Sequence, residues 1–329
     1  MKRRDFITLL GGAAAAWPRA ARAQEPGRMR RIGVLMSFAA DDPESPARLT
    51  AFAQGLQELG WRDGRNVRIE YRWAANDGDS FRRRAAELVA LGPDVILASG
   101  GVSVGALLRV TRTLPIVFAQ VTDPVGGGHV ASLARPGGNA TGFATNEFSM
   151  GGKWLELLKQ IAPGLSRVAV IRNPSGLAGI GQFAAIQTVA PSFGVELSPI
   201  DGRDAVEVER SLTAFSRTPN GGLIVVTGSA LAAHRDLIIA LAARLRLPAA
   251  YPYRYYVASG GLISYGPDTA EPYRLAAGYV DRILKGEKPA DLPVQAPVKY
   301  ETVLNMKTAK ALGLDVPATV LVRADEVIE

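Results

Sequence analysis

Gly101-Val102-Ser103-Val104-Gly105 fits the pattern G-x-S-x-G. It follows an apolar run that reads as a strand and precedes a stretch that reads as a helix from about Ser103, the setting in which a serine hydroxyl can serve as an acyl-transfer nucleophile. An ester hydrolase built on Ser103 would also need an acid and a histidine, and the chain has two histidines, His129 and His234. His234 falls inside Ala230 to Ala243, an alanine- and leucine-rich stretch that reads as one helix, where an exposed or capping histidine is the commoner arrangement. A glycine-rich turn that offers backbone N–H groups to an anion explains the same five residues with fewer requirements. An exported serine hydrolase using Ser103 is therefore the alternative reading, and a binding turn the first.

Other candidate residues cluster at the carboxyl ends of predicted strands, where open parallel sheets bind ligands because loops and helix N-termini converge there. The candidate ligand-binding set is Ser37 and Phe38, then Ser99, Gly100, Gly101 and Ser103, then Thr122 and Asp123. Asn146, Asn173, Ser175, Thr227, Ser229, Tyr251 and Tyr253 complete it. Hydroxyls and helix N-termini suit a carboxylate, aromatic rings suit a flat apolar body, and Asp123 could accept from an ammonium group. The run Tyr251-Pro252-Tyr253-Arg254-Tyr255-Tyr256 is the densest aromatic cluster in the chain. A proline and an arginine among the rings favour a half-exposed loop, and hence a ligand wall.

Cofactor and metal chemistry have little to stand on. No G-x-x-x-x-G-K-[ST] run is present, and neither Gly126-Gly127-Gly128 nor Gly176 to Gly181 reproduces G-x-G-x-x-G. Cysteine is absent, which excludes a thiolate nucleophile, a disulfide framework, an iron–sulfur cluster and a lipid anchor on an N-terminal cysteine. Two widely separated histidines make no metal site. Arg82-Arg83-Arg84 reads as the solvated face of a helix. The expectation is a protein with neither cofactor nor metal.

The elements that must position the candidates alternate short β-branched runs with longer amphipathic stretches, the pattern of βαβ units. Ile32 to Met36, Val67 to Trp73, Asp94 to Ala98 and Pro115 to Ala119 read as strands, with helices over Ala47 to Leu59 and Phe81 to Leu91. The second half repeats the plan: Val168 to Ile171 matches Ile32 to Met36, Leu223 to Gly228 matches Val95 to Gly100, and Leu247 to Tyr251 matches Leu114 to Phe118. Three ordered matches at similar separations predict an α/β fold of two similar Rossmann-like lobes with parallel sheets. Pro136 to Gly142 reads as the first crossing between them, with further crossings after Gly266 and near Pro289 to Pro297, so that a multi-strand hinge joins the lobes. The expected division is residues 29–142 plus about 267–290 for the first lobe and 143–266 plus about 291–329 for the second.

The net charge of +7 over 329 residues invites a search for a nucleic-acid surface. Residues 1–23 absorb most of it. Lys2, Arg3 and Arg4 form a basic start, Phe6 to Trp17 an apolar run too short to span a membrane, and Ala21-Arg22-Ala23 an A-x-A cleavage site. Arg3-Arg4-Asp5-Phe6-Ile7 resembles a twin-arginine export signal. Cleavage after Ala23 would remove five basic residues and one acidic residue, leaving +3 and no case for nucleic acid.

Several runs resemble the ABC-transporter substrate-binding family that includes tryptophan- and tyrosine-binding receptors. They are Pro93 to Ala98, Leu114 to Phe118, Val121-Thr122-Asp123-Pro124-Val125-Gly126, Ser132 to Gly142, Asn305 to Leu314, and Ala324 to Glu329. The T-D-P-V…R-P-G-G-N-x-T-G block is the most specific of these, and the resemblance covers essentially all of the chain after the signal. It implies a type I periplasmic binding protein fold, with Ser99 to Ser103 and Thr122 holding a ligand carboxylate, Asp123 less so. It also implies a monomeric, non-enzymatic receptor in the periplasm that hands a small solute, an aromatic amino acid or related organic acid, to a permease and its ATPase at the inner membrane. Many relatives carry an N-terminal lipid-bearing cysteine, which this chain lacks.

Overall fold

The structure, a computed structural model, describes residues 28–75, 78–145 and 147–329. The export-signal reading of residues 1–23 and the candidate Asn146 lie outside the described residues. The chain begins with β1 (Arg30–Met36), α1 (Glu44–Glu58), β2 (Val67–Trp73), α2 (Gly78–Ala90), β3 (Val95–Ser99), α3 (Gly100–Val110), β4 (Ile116–Val121) and β5 (Ala140–Ala144). These strands form one five-stranded parallel sheet in the order β2-β1-β3-β4-β5. Strands β3 and β5 are buried at every position and β1 at its last five. Helices on both faces exclude water, which is why these strands appear in the sequence as near-continuous apolar runs.

A second sheet takes up β6 (Arg167–Arg172), β7 (Glu196–Asp201), β8 (Gly221–Val225), β9 (Ala249–Tyr251), β10 (Ile263–Gly266), β11 (Glu301–Asn305) and β12 (Glu326–Ile328). Its order is β12-β11-β10-β9-β8-β6-β7, parallel except for the β10–β11 pair. The helices among them are α4 (Met150–Ile161), α5 (Leu177–Val189), α6 (Ala205–Phe215), α7 (Ser229–Ala233), α8 (Arg235–Arg244) and α9 (Arg254–Ala258). They are followed by α10 (Glu271–Leu284), α11 (Met306–Leu312) and α12 (Ala318–Leu321). The order β7-β6-β8-β9-β10 repeats β2-β1-β3-β4-β5, so β6, β8 and β9 occupy the places of β1, β3 and β4. Those are the three pairs of strands that the sequence matches paired. Two α/β lobes on one plan are therefore observed.

Helix α10 returns from the second sheet to pack on α1, where Gly55 lies so close that an added Cβ would sit 2.8 Å from Ala277 Cβ. The hydrophobic core of the first lobe lies on both sides of its sheet, with Phe52, Leu56, Tyr273 and Val280 on one face and Phe81, Leu88, Leu107 and Phe118 on the other. A single larger cluster around Trp154, Leu158, Ile224 and Tyr256 fills the second lobe.

Three local readings differ from the structure. The glycine-rich run read as a crossing already contains β5, and Gln295 later lies alongside it, accepting from Ala144 N at 2.7 Å and donating its own N–H to Gly142 O at 3.0 Å. Edge strands of five residues preceded by Pro-Gly-Gly carry little periodicity, which is why this one is hidden. The predicted helix from about Ser103 begins earlier, at Gly100, so Ser103 lies inside its first turn rather than at a loop tip. The predicted single helix over Ala230 to Ala243 is two helices, α7 and α8, broken at His234, where φ is −97° and ψ 11°.

Gly142 is the tightest point of the β4–β5 pairing. Its φ is +150°, and a Cβ there would lie 2.1 Å from Phe118 O and 2.6 Å from Phe118 N. Gly142→Ala is expected to destabilise the first lobe by about 2–3 kcal/mol, since either the strand or Phe118 must move. Urea denaturation followed by the midpoint shift checks this, and an unchanged midpoint would show that the edge strand yields freely.

Candidate functional site

The strand order reverses between β1 and β3 in one sheet and between β6 and β8 in the other, and at such switch points neighbouring loops diverge and leave a crevice. The loops after those four strands, with those after β4, β5 and β9, line one cavity of about 490 Å³ between the lobes. That volume lies within the range of small-molecule sites.

From the first lobe, Ser37 and Phe38 follow β1, and Ser99 ends β3 against Gly100, whose φ of +78° turns the chain into α3. The α3 N-terminus, through Gly100, Gly101 and Val102, opens on the cavity, so its positive dipole end faces that space and favours an anion there. The serines below it form a network: Ser37 Oγ donates to Ser99 O, Ser37 Oγ and Ser103 Oγ are 3.3 Å apart, and Ser99 Oγ and the Tyr273 hydroxyl are 2.6 Å apart. Tyr273 ties α10 into the same corner. Thr122 lines the cavity between Gln120 (φ +58°) and Asp123 (φ +46°), two non-glycine residues in left-handed backbone. Such conformations persist only where surrounding contacts over-determine them.

From the second lobe come Asn173, Ser175, Thr227, Ser229, Tyr253 and Tyr255. Asn173 Oδ1 accepts from Ser175 N at 2.9 Å, and Thr227 gives both its N–H and its hydroxyl to Gln182 Oε1, each at 2.9 Å. The tyrosines form a stack running inward. Tyr253 and Tyr255 are 5.5 Å apart, Tyr255 and Tyr256 4.8 Å, and Tyr256 and Tyr251 5.0 Å. Burial pushes the Tyr251, Tyr255 and Tyr256 hydroxyls up from their ordinary value, so all three stay neutral.

Eleven of the fifteen residues chosen from the sequence thus border one cavity: Ser37, Phe38, Ser99, Gly100, Gly101, Thr122, Asn173, Ser175, Thr227, Ser229 and Tyr253. Asn146 is outside the described residues, and the other three lie elsewhere. Ser103 is fully buried beneath the α3 turn, because the helix starts before it. Asp123 turns onto its own loop and accepts from Gly126 N at 2.8 Å. Tyr251 is fully buried at the inner end of the tyrosine stack.

The largest omission is Arg48. It lines the cavity from α1, is 1% exposed, and lies with its guanidinium 4.3 Å above the Phe38 ring. Its position four residues before Phe52 and eight before Leu56 puts it on the buried stripe of the helix, a signal that a count of polar residues passes over. Tyr255, Gln120 and His129 also line the cavity.

His129 is half-buried, and desolvation lowers its pKa more than the nearby Asp123 charge raises it. The unfolded chain therefore takes up a proton more readily than the folded one, and stability that is complete above the ordinary histidine value is lost as pH falls below it. Denaturation midpoints between about pH 7.5 and 5 should fall with pH in the wild type and fall less in His129→Gln. Parallel pH profiles would remove this histidine from the balance.

An ion pair joins the lobes: Arg235 NH1, at the start of α8, to Asp42 Oδ2 in the β1–α1 loop, at 3.0 Å. Both side chains are about nine-tenths buried (9% and 10% exposed), and Arg235 lies 5.9 Å from the Tyr255 ring centre. Burial works against the guanidinium charge, but the hydrogen bond and charge of Asp42 outweigh it and hold the Arg235 pKa above its ordinary value.

Residues 36–328 match the family described as ABC transporter substrate binding protein. The tyrosine-binding protein of Clostridioides difficile (strain R20291) is 27% identical over 287 residues, which is 87% of this chain and 82% of that protein. Among solved structures, an ABC domain from Streptococcus pneumonia in complex with L-Trp is 25% identical over 92% of this chain and all of that one, with a TM-score of 0.84. The ligand-free, open structure of a substrate binding protein with adhesive properties from Clostridium difficile is also 25% identical, over 91% and 99%, with a TM-score of 0.66. At the same identity, the TM-score is higher to the L-Trp complex than to the ligand-free, open structure. Among the described residues, no helix is long and apolar enough to cross a membrane.

Proposed function

Because the chain belongs to the ABC transporter substrate-binding protein family, whose members bind solutes and are not enzymes, and has the type I periplasmic binding protein fold, we propose that it is the solute receptor of an ABC importer. In this reading an exported, monomeric protein captures a small carboxylate-bearing solute, an aromatic amino acid or a related organic acid, between its lobes and delivers it to a permease and ATPase. The observation that carries it is the cavity itself, bordered by loops from both sheets and flanked by the N-terminus of α3. Besides three arginines and His129, its polar groups are hydroxyls, amides and backbone N–H groups, a set suited to orienting a solute. The hydrolase alternative loses its nucleophile, since Ser103 is fully buried and its Oγ lies against Ser37.

A ligand that touches both lobes only when they are closed shifts the population towards that state by its differential affinity. Transporter recognition would then read the closed rim. A thermal-shift screen of aromatic acids and amino acids on the signal-free protein tests the reading, together with X-ray scattering and native mass spectrometry for a co-purified solute. The expected result is a concentration-dependent rise in Tm accompanied by compaction. A protein that no solute stabilises or compacts, and that carries none when purified, is not a receptor.

A further inference from the structure

The charged side chains that line the cavity are all basic, with Arg82 already paired to Asp79. Among the described residues, Arg48, Arg82 and Arg109 line it and no aspartate or glutamate does. The two carboxylates that flank the start of α1 are already engaged, Asp42 by Arg235 and Glu44 by Arg48, the latter at 3.3 Å. A zwitterionic amino acid brings an ammonium group that needs a nearby carboxylate once water is excluded. Here it would meet guanidinium groups instead.

Arg48 has the opposite need. Its side chain is almost wholly buried, only NH2 reaches Glu44, and Nε and NH1 have no hydrogen-bond partner. A buried cationic donor without an acceptor carries an uncompensated desolvation penalty, and an incoming anion relieves it. Thr145 Oγ1, on the loop after β5 that lines the same cavity, is also buried and unpartnered. The rest of the wall supplies apolar and aromatic surface through Phe38, Phe81, Leu177, Tyr253 and Tyr255.

We propose that the cavity selects an aromatic monocarboxylate that lacks an ammonium group, with the carboxylate on the Arg48 guanidinium and the ring against Phe38 and the Tyr253–Tyr255 pair. This rests on the solute-receptor reading and narrows it to one ligand class. Glu44 offsets part of the Arg48 charge, leaving a site matched to one negative charge rather than two.

Isothermal titration of the signal-free protein, stripped of any co-purified solute, tests it. The probes are 3-phenylpropanoate, 3-(4-hydroxyphenyl)propanoate and indole-3-propanoate, each compared with its carboxamide and with L-phenylalanine, L-tyrosine or L-tryptophan. At least one acid is expected to bind ten-fold or more tighter than both its amide and its amino acid. Arg48→Gln should abolish the preference for acid over amide while leaving amide binding in place, and Arg48→Lys should keep part of it. A merely structural role would weaken acid and amide together. An amino acid bound as tightly as its acid, an amide bound equally well, or no acid bound at millimolar concentration overturns the assignment. Should native mass spectrometry instead find a neutral solute such as a sugar, the receptor reading stands and this inference fails. If no solute binds at all, both fail.

Discussion

Asp42→Asn is expected to loosen solute binding by about 30- to 150-fold while leaving both lobes folded. In the structure the Arg235 side chain is 9% exposed and depends on Asp42 at 3.0 Å, with Asp236 Oδ1 more distant at 3.8 Å and largely in solvent; we take this arrangement as the closed state of the proposed receptor. Removing one member of a buried pair leaves the other charge uncompensated, a loss of about 3–5 kcal/mol at full burial. Asparagine still accepts a hydrogen bond and Asp236 offsets some charge, so about 2–3 kcal/mol is the reasonable share. In the open state both groups hydrate separately, so nearly all of the loss falls on the closed state. Apparent affinity follows the fraction of molecules able to close, which turns that free energy into the stated range. Arg235→Met should act similarly, and the Asp42→Asn, Arg235→Met double variant should recover part of the loss, because no buried charge then remains unpaired. Titration calorimetry with the ligand found by screening gives the affinities, and melting of the ligand-free proteins verifies folding. If Asp42→Asn binds as the wild type does and the double variant shows no coupling, the bridge does not hold the closed state.

That pair also marks where reading a sequence stops. Asp42 and Arg235 are 193 positions apart, and nothing local distinguishes Arg235 from another solvated arginine in an alanine-rich helix. The break at His234 that starts α8 at Arg235 is equally invisible, because its neighbours all favour helix. What was legible had a local cause. Ile32 to Met36, Val95 to Ala98 and Val168 to Ile171 are apolar without alternation because helices cover both faces of their sheets, and that pattern reveals a parallel strand. The carboxyl ends of such strands then indicate ligand loops by topology alone, which makes Ser37, Ser99, Thr122, Asn173 and Thr227 legible in the sequence. Arg48 escaped because charge in a sequence is read as surface. Its place on the buried stripe of α1 is a matter of phase with Phe52 and Leu56 rather than of composition.

Trp154→Ala is expected to lower the stability of the second lobe by about 4 kcal/mol and its Tm by roughly 8–16 °C, with the first lobe little affected. Trp154 is fully buried on α4, at the centre of the cluster that includes Leu158 and Ile186, and its indole N–H donates to Tyr265 O at 2.7 Å. Truncation therefore opens a cavity and removes the side-chain donor to a carbonyl on β10 in the same step. The selectivity follows from the division of the hydrophobic residues. Trp154 belongs to a cluster built of second-lobe elements, whereas Phe52, Leu56 and Tyr273, with α10 laid on α1, form another, so no continuous core conveys the defect across the cleft. Two cores joined by chain crossings and the Asp42–Arg235 pair need not unfold as one unit. Calorimetry of the ligand-free variant should accordingly show two separated transitions, the earlier one belonging to the second lobe. Bound solute, by tying the lobes together, should draw the transitions towards each other. A single transition displaced as a whole would mean that the hinge and the Asp42–Arg235 bridge couple the lobes more strongly than their separate cores imply.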